Sequence, residues 1–151
     1  MYFVDREKIE QTLRYYEDLV QLLNEDKQFT TRLDRLALER VSYVIIESII
    51  DVGNSMIDGF IMRDPGSYED IIDILEDESV IPAEDAKALK EVVRCRKSLV
   101  QDYANIDHSL LESTIRQHIF ALIQFPKAVR RYLVEELGPV SAFLPEDGKK
   151  G

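Results

Sequence analysis

One cysteine is all this chain has, and a single thiol, Cys95, cannot close an internal disulfide. A disulfide-built secreted scaffold is thereby excluded, and a reducing compartment, the cytoplasm, is the expected location. Basic residues are in deficit: 19 Lys and Arg stand against 29 Asp and Glu, a formal net charge of -10. A field of that sign repels polyanions at long range, so sequence-independent binding to nucleic acid or an acidic membrane is disfavoured, and any RNA contact needs a local basic patch. No uninterrupted apolar run is long enough to span a bilayer, since the most apolar window, residues 41–57, contains Glu47 and Asp51. The N-terminal MYFVDREKIEQ lacks a basic region followed by an apolar run, so no signal peptide is expected. The six glycines are scattered through turns and the tail, which leaves no glycine-rich phosphate loop and no support for nucleotide hydrolysis. Strand-like alternation and internal repeats are absent too.

What remains is helix. The 151 residues, 45% of them hydrophobic, suffice for one domain with a sizeable core. Asp5 is a good N-cap for a first helix carrying Ile9, Leu13, Tyr16, Leu19, Val20 and Leu23 at helical spacing and ending near Glu25. A polar connection leads to Thr30 or Thr31, either able to cap a long helix over residues 33–62. Arg63-Asp64-Pro65-Gly66-Ser67 stops it, and Ser67 with Asp70 resembles a capping box for a short helix over 68–76. Pro82 suits the first turn of a fourth helix running to about Asp107. Asp107 or Ser109 then caps a fifth that continues to Leu137, kinked or split at Pro126 and stopped by Gly138-Pro139. The expected fold is all-α, an antiparallel bundle of about five helices over residues 1–143, with a disordered tail over 144–151.

The long helix carries one polar stripe. Glu47, Asp51, Asn54 and Asp58 fall within roughly 60° of one another at about 100° per residue, with Arg40 on the same line. Carboxylates in an apolar surrounding cost several kcal/mol each unless answered by water, a cation or a partner chain. In the fourth helix, Arg96 lies on the apolar stripe with Leu89, Leu99 and Tyr103. A guanidinium there must be paired, and the spacing predicts a contact with Asp51 or Glu47. Two roles are open for that pair: an ion pair fixing helix register, or a functional arginine held ready by its carboxylate.

Gln101 lies about 140° around the helix from Arg96, so these two flank one surface with Tyr103 on the Arg96 side, and polar groups flanking an apolar stripe point to a dimer interface across a two-fold axis. Spacing alone favours simple core packing for Tyr103. Metal ligation has little support, because Glu47 and Asp51 have no histidine beside them and neither His108 nor His118 has a ligand-spaced partner. His108 reads as a surface residue at a helix start, His118 as a packed one. Cys95 has basic neighbours, Arg94 and Arg96, that could lower its pKa, but no evident base or resolving thiol. No cofactor is expected.

The stretch RKSLVQDY resembles the HEPN superfamily, specifically its HepT-like branch, whose members carry an arginine, a histidine four to six residues later and a tyrosine two beyond that. Arg96 matches the arginine and Tyr103 the tyrosine, while Gln101 stands at the histidine position. The similarity extends to MYFVDREKIE, GNSMIDGFIMRDPGSYEDIIDIL and ELGPVSAF, so it covers nearly the whole chain. It implies a helical bundle that dimerises around the motif helix and, in active members, cleaves RNA without metal. It also implies a nucleotidyltransferase antitoxin partner that adenylylates the motif tyrosine, here Tyr103, with Asp51 and Asn54 supporting Arg96.

The glutamine alters that expectation. Metal-free RNA cleavage needs a group to take the 2′-hydroxyl proton or to protonate the leaving oxygen, and an amide does not titrate. General acid–base catalysis contributes about 10² to 10⁴ in rate, so a protein relying on Gln101 is expected to be slow or inactive unless another group substitutes. The alternative is a non-catalytic dimeric binding module that keeps the HEPN fold.

Overall fold

The computed structural model describes residues 2–25 and 28–139. Among them run seven helices and no strand: α1 (Arg6–Asn24), α2 (Arg32–Gly59), α3 (Tyr68–Asp77), α4 (Ala83–Arg94), α5 (Arg96–Val100), α6 (His108–Gln117) and α7 (Ile119–Leu137). No helix among the described residues is long and apolar enough to cross a membrane. The segment read as a disordered tail, 144–151, lies outside the described residues.

Local hydrogen bonding sets most of the helix starts. The Lys8 amide donates to the Asp5 carboxylate at 3.0 Å. Thr31 and Asp34 exchange side-chain and backbone bonds in a capping box, with the Asp34 amide on Thr31 Oγ1 at 3.0 Å and the Thr31 amide on Asp34 Oδ2 at 3.1 Å. Ser67 accepts from the Asp70 amide, but the Asp70 carboxylate turns to the Arg63 guanidinium and the Gly66 amide instead of closing the box. Those two donors, Arg63 first, hold Asp70 at a pKa of about 2. Pro82 occupies the N-cap of α4, and Asp107 caps α6 through the Leu110 amide.

The spine is α2, against which α1, α3, α5 and α6 all pack. Ile45, Ile46, Ile49, Ile50, Met56 and Ile57 are buried along it. Gly53 lets α3 approach, since a Cβ there would collide with Ile71 Cγ2. The helix ends at Gly59 rather than near Met62, because Ile61 takes a left-handed φ of 58° and the Met62 amide bonds back to the Ile57 carbonyl at 2.9 Å; Gly59 itself faces the N-terminal strap, where the Phe3 amide donates to its carbonyl at 3.2 Å and Val4 leaves no room for a side chain.

Two expected helices are each broken in two, which is why seven helices stand in place of about five. The fourth stops at Arg94: the Cys95 amide closes a tighter bond to the Val92 carbonyl at 3.0 Å, a single turn follows as α5, and the chain leaves the helix after Val100. Residues 101–105 are all exposed, so no buried stripe continues the helix to Asp107. The fifth breaks at His118, whose amide reaches the Ile115 carbonyl at 3.1 Å and whose Nε2 meets Glu91 Oε1 of α4 at 3.2 Å. Pro126, where the break was expected, is buried inside an unbroken α7. Its missing amide would bond the Leu122 carbonyl, and the Tyr16 hydroxyl donates to that carbonyl instead, at 2.6 Å.

Candidate functional site

Arg96 opens α5 and faces the middle of α2. Its Nε donates to Glu47 Oε2 at 2.8 Å, with the two side chains 23% and 27% exposed. The guanidinium carbon lies 4.4 Å from the centroid of the Tyr68 ring, a cation–π contact supplied by the first residue of α3. Tyr43, one turn before Glu47 on α2, donates weakly to Glu47 Oε1 at 3.4 Å. The Glu47 bond raises the arginine's already high pKa and partial desolvation opposes it, so the group stays a cation. Neither terminal amino group of Arg96 has a hydrogen bond to a described residue. The arginine is thus fixed by Nε and by one face, with both terminal amino groups left over. That is a geometry suited to an anionic oxygen.

Of the two carboxylates expected against Arg96, the structure selects Glu47. Asp51 and Asp58 are exposed and Asn54 is half-buried, and none of the three bonds Arg96. The polar stripe of α2 is answered by solvent over that half and by Arg96 at Glu47. Gln101 is the C-cap of α5 and exposed. Tyr103 follows in the turn and is 70% exposed, which overturns the core-packing reading that assumed the helix went on. Arg96, half-buried, and Gln101 and Tyr103, both exposed, therefore lie along one short segment rather than one helical line.

Cys95 also departs from expectation. Burial pushes its thiol up, and its basic neighbours are committed elsewhere, Arg94 to Glu69 at 2.9 Å and Arg96 to Glu47. Among the described residues no group of three or more His, Cys, Asp or Glu side chains converges to hold a metal ion. Sequence reasoning missed Tyr43 and Tyr68. The first was visible as an i, i+4 neighbour of Glu47. The second depends on how α3 docks and left no local signal. It also missed the contact of His108 Nε2 with Glu39 Oε2 at 2.6 Å, which ties the start of α6 to α2.

Residues 9–129 match the family described as ribonuclease HepT-like. YutE of Bacillus subtilis (strain 168), whose description as an RNase is itself provisional, is 50% identical over 143 residues, 95% of this chain and 99% of that protein. The solved structure of YutE, there called a cytosolic protein of unknown function, superposes with a TM-score of 0.91 over 95% of this chain and all of its own. More distant structures share the fold. One is a toxin–antitoxin complex with AMP-PNP, at TM-score 0.69 and 18% identity over 82% of this chain and 96% of that one. Another is a tri-AMPylated HEPN toxin of Shewanella oneidensis in complex with MNT antitoxin, at TM-score 0.68 and 20% identity over 87% and 99%. The matched range contains the Arg96, Gln101 and Tyr103 segment together with its Glu47 anchor, and on that basis this chain belongs to the ribonuclease HepT-like family, with an all-helical HEPN fold.

Proposed function

We propose that this chain is a metal-independent endoribonuclease of low intrinsic rate that works as a homodimer around the Arg96 to Tyr103 segment. The observation that carries the reading is the state of Arg96: anchored through Nε by Glu47, stacked on Tyr68, and left with two unengaged amino groups. Cleavage by attack of the 2′-hydroxyl on the adjacent phosphorus builds negative charge on the non-bridging oxygens. A preorganised guanidinium stabilises that charge without reorganising at the moment of reaction. In this reading Gln101 orients the phosphate through its amide. It cannot accept the 2′-hydroxyl proton or return one to the leaving oxygen, so solvent does both and the rate suffers by about 10² to 10⁴.

The partner proposed is a nucleotidyltransferase antitoxin that adenylylates Tyr103. Its support is access: a phenol 70% exposed can be presented to another protein's bound nucleotide, and adenylylation would add a bulky anionic group to the motif segment. The second reading, a non-catalytic dimeric binding module, is favoured by Gln101 itself and by the net charge of -10. Metal-free cleavage of a mixed RNA by wild type, Arg96→Ala and Gln101→His, with EDTA present throughout, separates the two. Cleavage by wild type that Arg96→Ala abolishes is the expected outcome, with Gln101→His faster. Silence from all three variants would overturn the ribonuclease in favour of the binding module.

A further inference from the structure

Of the two groups stacked beside Glu47, the arginine is the inner and the tyrosine the outer. The Arg96 side chain is 23% exposed, Tyr68 is 47% exposed, and the guanidinium carbon lies 4.4 Å from the ring centroid. A ring exposed to that extent with one face on a guanidinium turns its other face to solvent. No other described aromatic ring meets it, and its hydroxyl bonds no described residue. Support of Arg96 uses one side of Tyr68 and leaves the other open.

Local structure fixes the ring in place. Tyr68 is the first residue of α3, whose start is set by the Asp70 amide on Ser67 Oγ at 3.0 Å, and it stands one turn before Ile71 and Ile72, both buried. A flat apolar surface already held in position loses little freedom when a planar group stacks on it. The acids that follow it are paired, Glu69 with Arg94 at 2.9 Å and Asp70 with Arg63 at 2.8 Å, as Arg96 is with Glu47. Those pairs leave no surplus of positive charge around the ring, and the chain as a whole carries -10. Contacts that do not depend on charge therefore have to supply part of any grip on RNA.

We infer that Tyr68 is the base platform of the Arg96 site: a purine next to the phosphate at Arg96 stacks on the open face of the ring. The inference rests on the ribonuclease reading for the identity of the ligand, and it adds which nucleotide that site prefers. The guanidinium keeps both terminal amino groups for the phosphate and the ring stacked on it takes the base, so one nucleotide unit meets both. A purine has two fused rings and covers more of the phenol than a pyrimidine does. Stacking strength, not hydrogen bonding to base edges, then sets the preference. The contact releases no counterions, so it adds affinity without adding salt dependence.

The test is binding, by fluorescence anisotropy, of three fluorescein-labelled 2′-O-methyl nonamers of equal backbone charge, carrying adenine, uracil or no base at every position. The methyl group removes the attacking hydroxyl, so binding is read without cleavage. Wild type should bind the adenine strand tightest and the abasic strand weakest. Tyr68→Ala should lose roughly 5- to 140-fold on the adenine strand, less on the uracil strand and nothing on the abasic one. Tyr68→Leu, which keeps apolar bulk against Arg96 without an aromatic face, should lose in the same order, and Tyr68→Phe should hold wild-type affinity. The slope of log K against log salt should be the same for all four proteins. An equal loss on all three strands would mean that Tyr68 acts only by holding Arg96, and would overturn the platform. So would a wild type that binds no strand, or binds the adenine strand no better than the abasic one. Metal-free cleavage lost in Arg96→Ala, measured in parallel, reports on the ribonuclease reading by itself.

Discussion

The Tyr16 hydroxyl and the Leu122 carbonyl are bonded at 2.6 Å, and Leu122 stands four residues before Pro126, so the tyrosine of α1 takes the carbonyl that the proline of α7 cannot pair. Tyr16 is fully buried, its ring tilted against Phe125 with centroids 5.8 Å apart. Burial pushes its phenol well above the ordinary value and keeps it a donor.

Replacing Tyr16 by phenylalanine leaves that buried carbonyl without a partner and should destabilise the protein by about 1–3 kcal/mol. In a Pro126→Ala background the residue at 126 regains an amide that can reach Leu122, so the same substitution should cost less. Urea unfolding of the two single variants and the double closes the cycle. Equal costs in both backgrounds would mean that the hydroxyl does not serve the proline.

Much of the fold could be read from the sequence because much of it is local. Asp5, Thr31, Ser67 and Asp107 each accept from an amide three residues on, within one turn of the signal that announces them. The Arg96 and Glu47 pair, though 49 residues apart, was legible because a cation on an apolar stripe requires an anion opposite. The breaks at Cys95 and His118 were not, since apolar periodicity runs on through a single tightened turn. Pro126 misled for the opposite reason. The proline is a strong local signal, and the tyrosine that neutralises it is 106 residues from the carbonyl concerned.

Glu47→Ala should cost about 1–2 kcal/mol, because it removes a charge-assisted bond from a half-buried arginine. For a chain of this length each kcal/mol lowers Tm by about 2–4 °C. Glu47→Gln keeps an oxygen for Arg96 Nε and should cost less, and Asp51→Ala, at an exposed position with no bond to Arg96, should stay within about 0.5 kcal/mol. Thermal melts of the three rank them, and an Asp51→Ala effect as large as that of Glu47→Ala would mean that Arg96 is held otherwise.

Gly53→Ala pits two effects against each other. Alanine gains up to about 1 kcal/mol in helix propensity, but its Cβ strikes Ile71 Cγ2 in the contact between α2 and α3, and overpacking costs about 1–3 kcal/mol. The clash should win, giving net destabilisation in denaturant unfolding. Against Ile71→Ala, which removes the struck methyl, the same change should become neutral or stabilising, and persistence of the full penalty there would place the strain elsewhere.

Arg130 on α7 grips two carboxylates of α1, reaching Glu17 at 2.7 and 2.8 Å and Glu10 at 2.9 and 3.0 Å. The Arg130 bond, against partial desolvation, holds the Glu10 pKa below its ordinary value of 4.5. A carboxylate whose folded pKa is depressed contributes stability that is fully present above the unfolded pKa and is lost as pH falls through the folded one. Arg130→Gln should therefore lower stability at pH 7 by about 1 kcal/mol, a figure reduced for side chains roughly a third exposed and screened by solvent. The gap between variant and wild type should narrow progressively below pH 4.5. Unfolding free energies measured from pH 7 down to the acid limit give the check: a gap that stays constant through that window would show that Arg130 holds α1 to α7 by packing of its aliphatic stem rather than by charge.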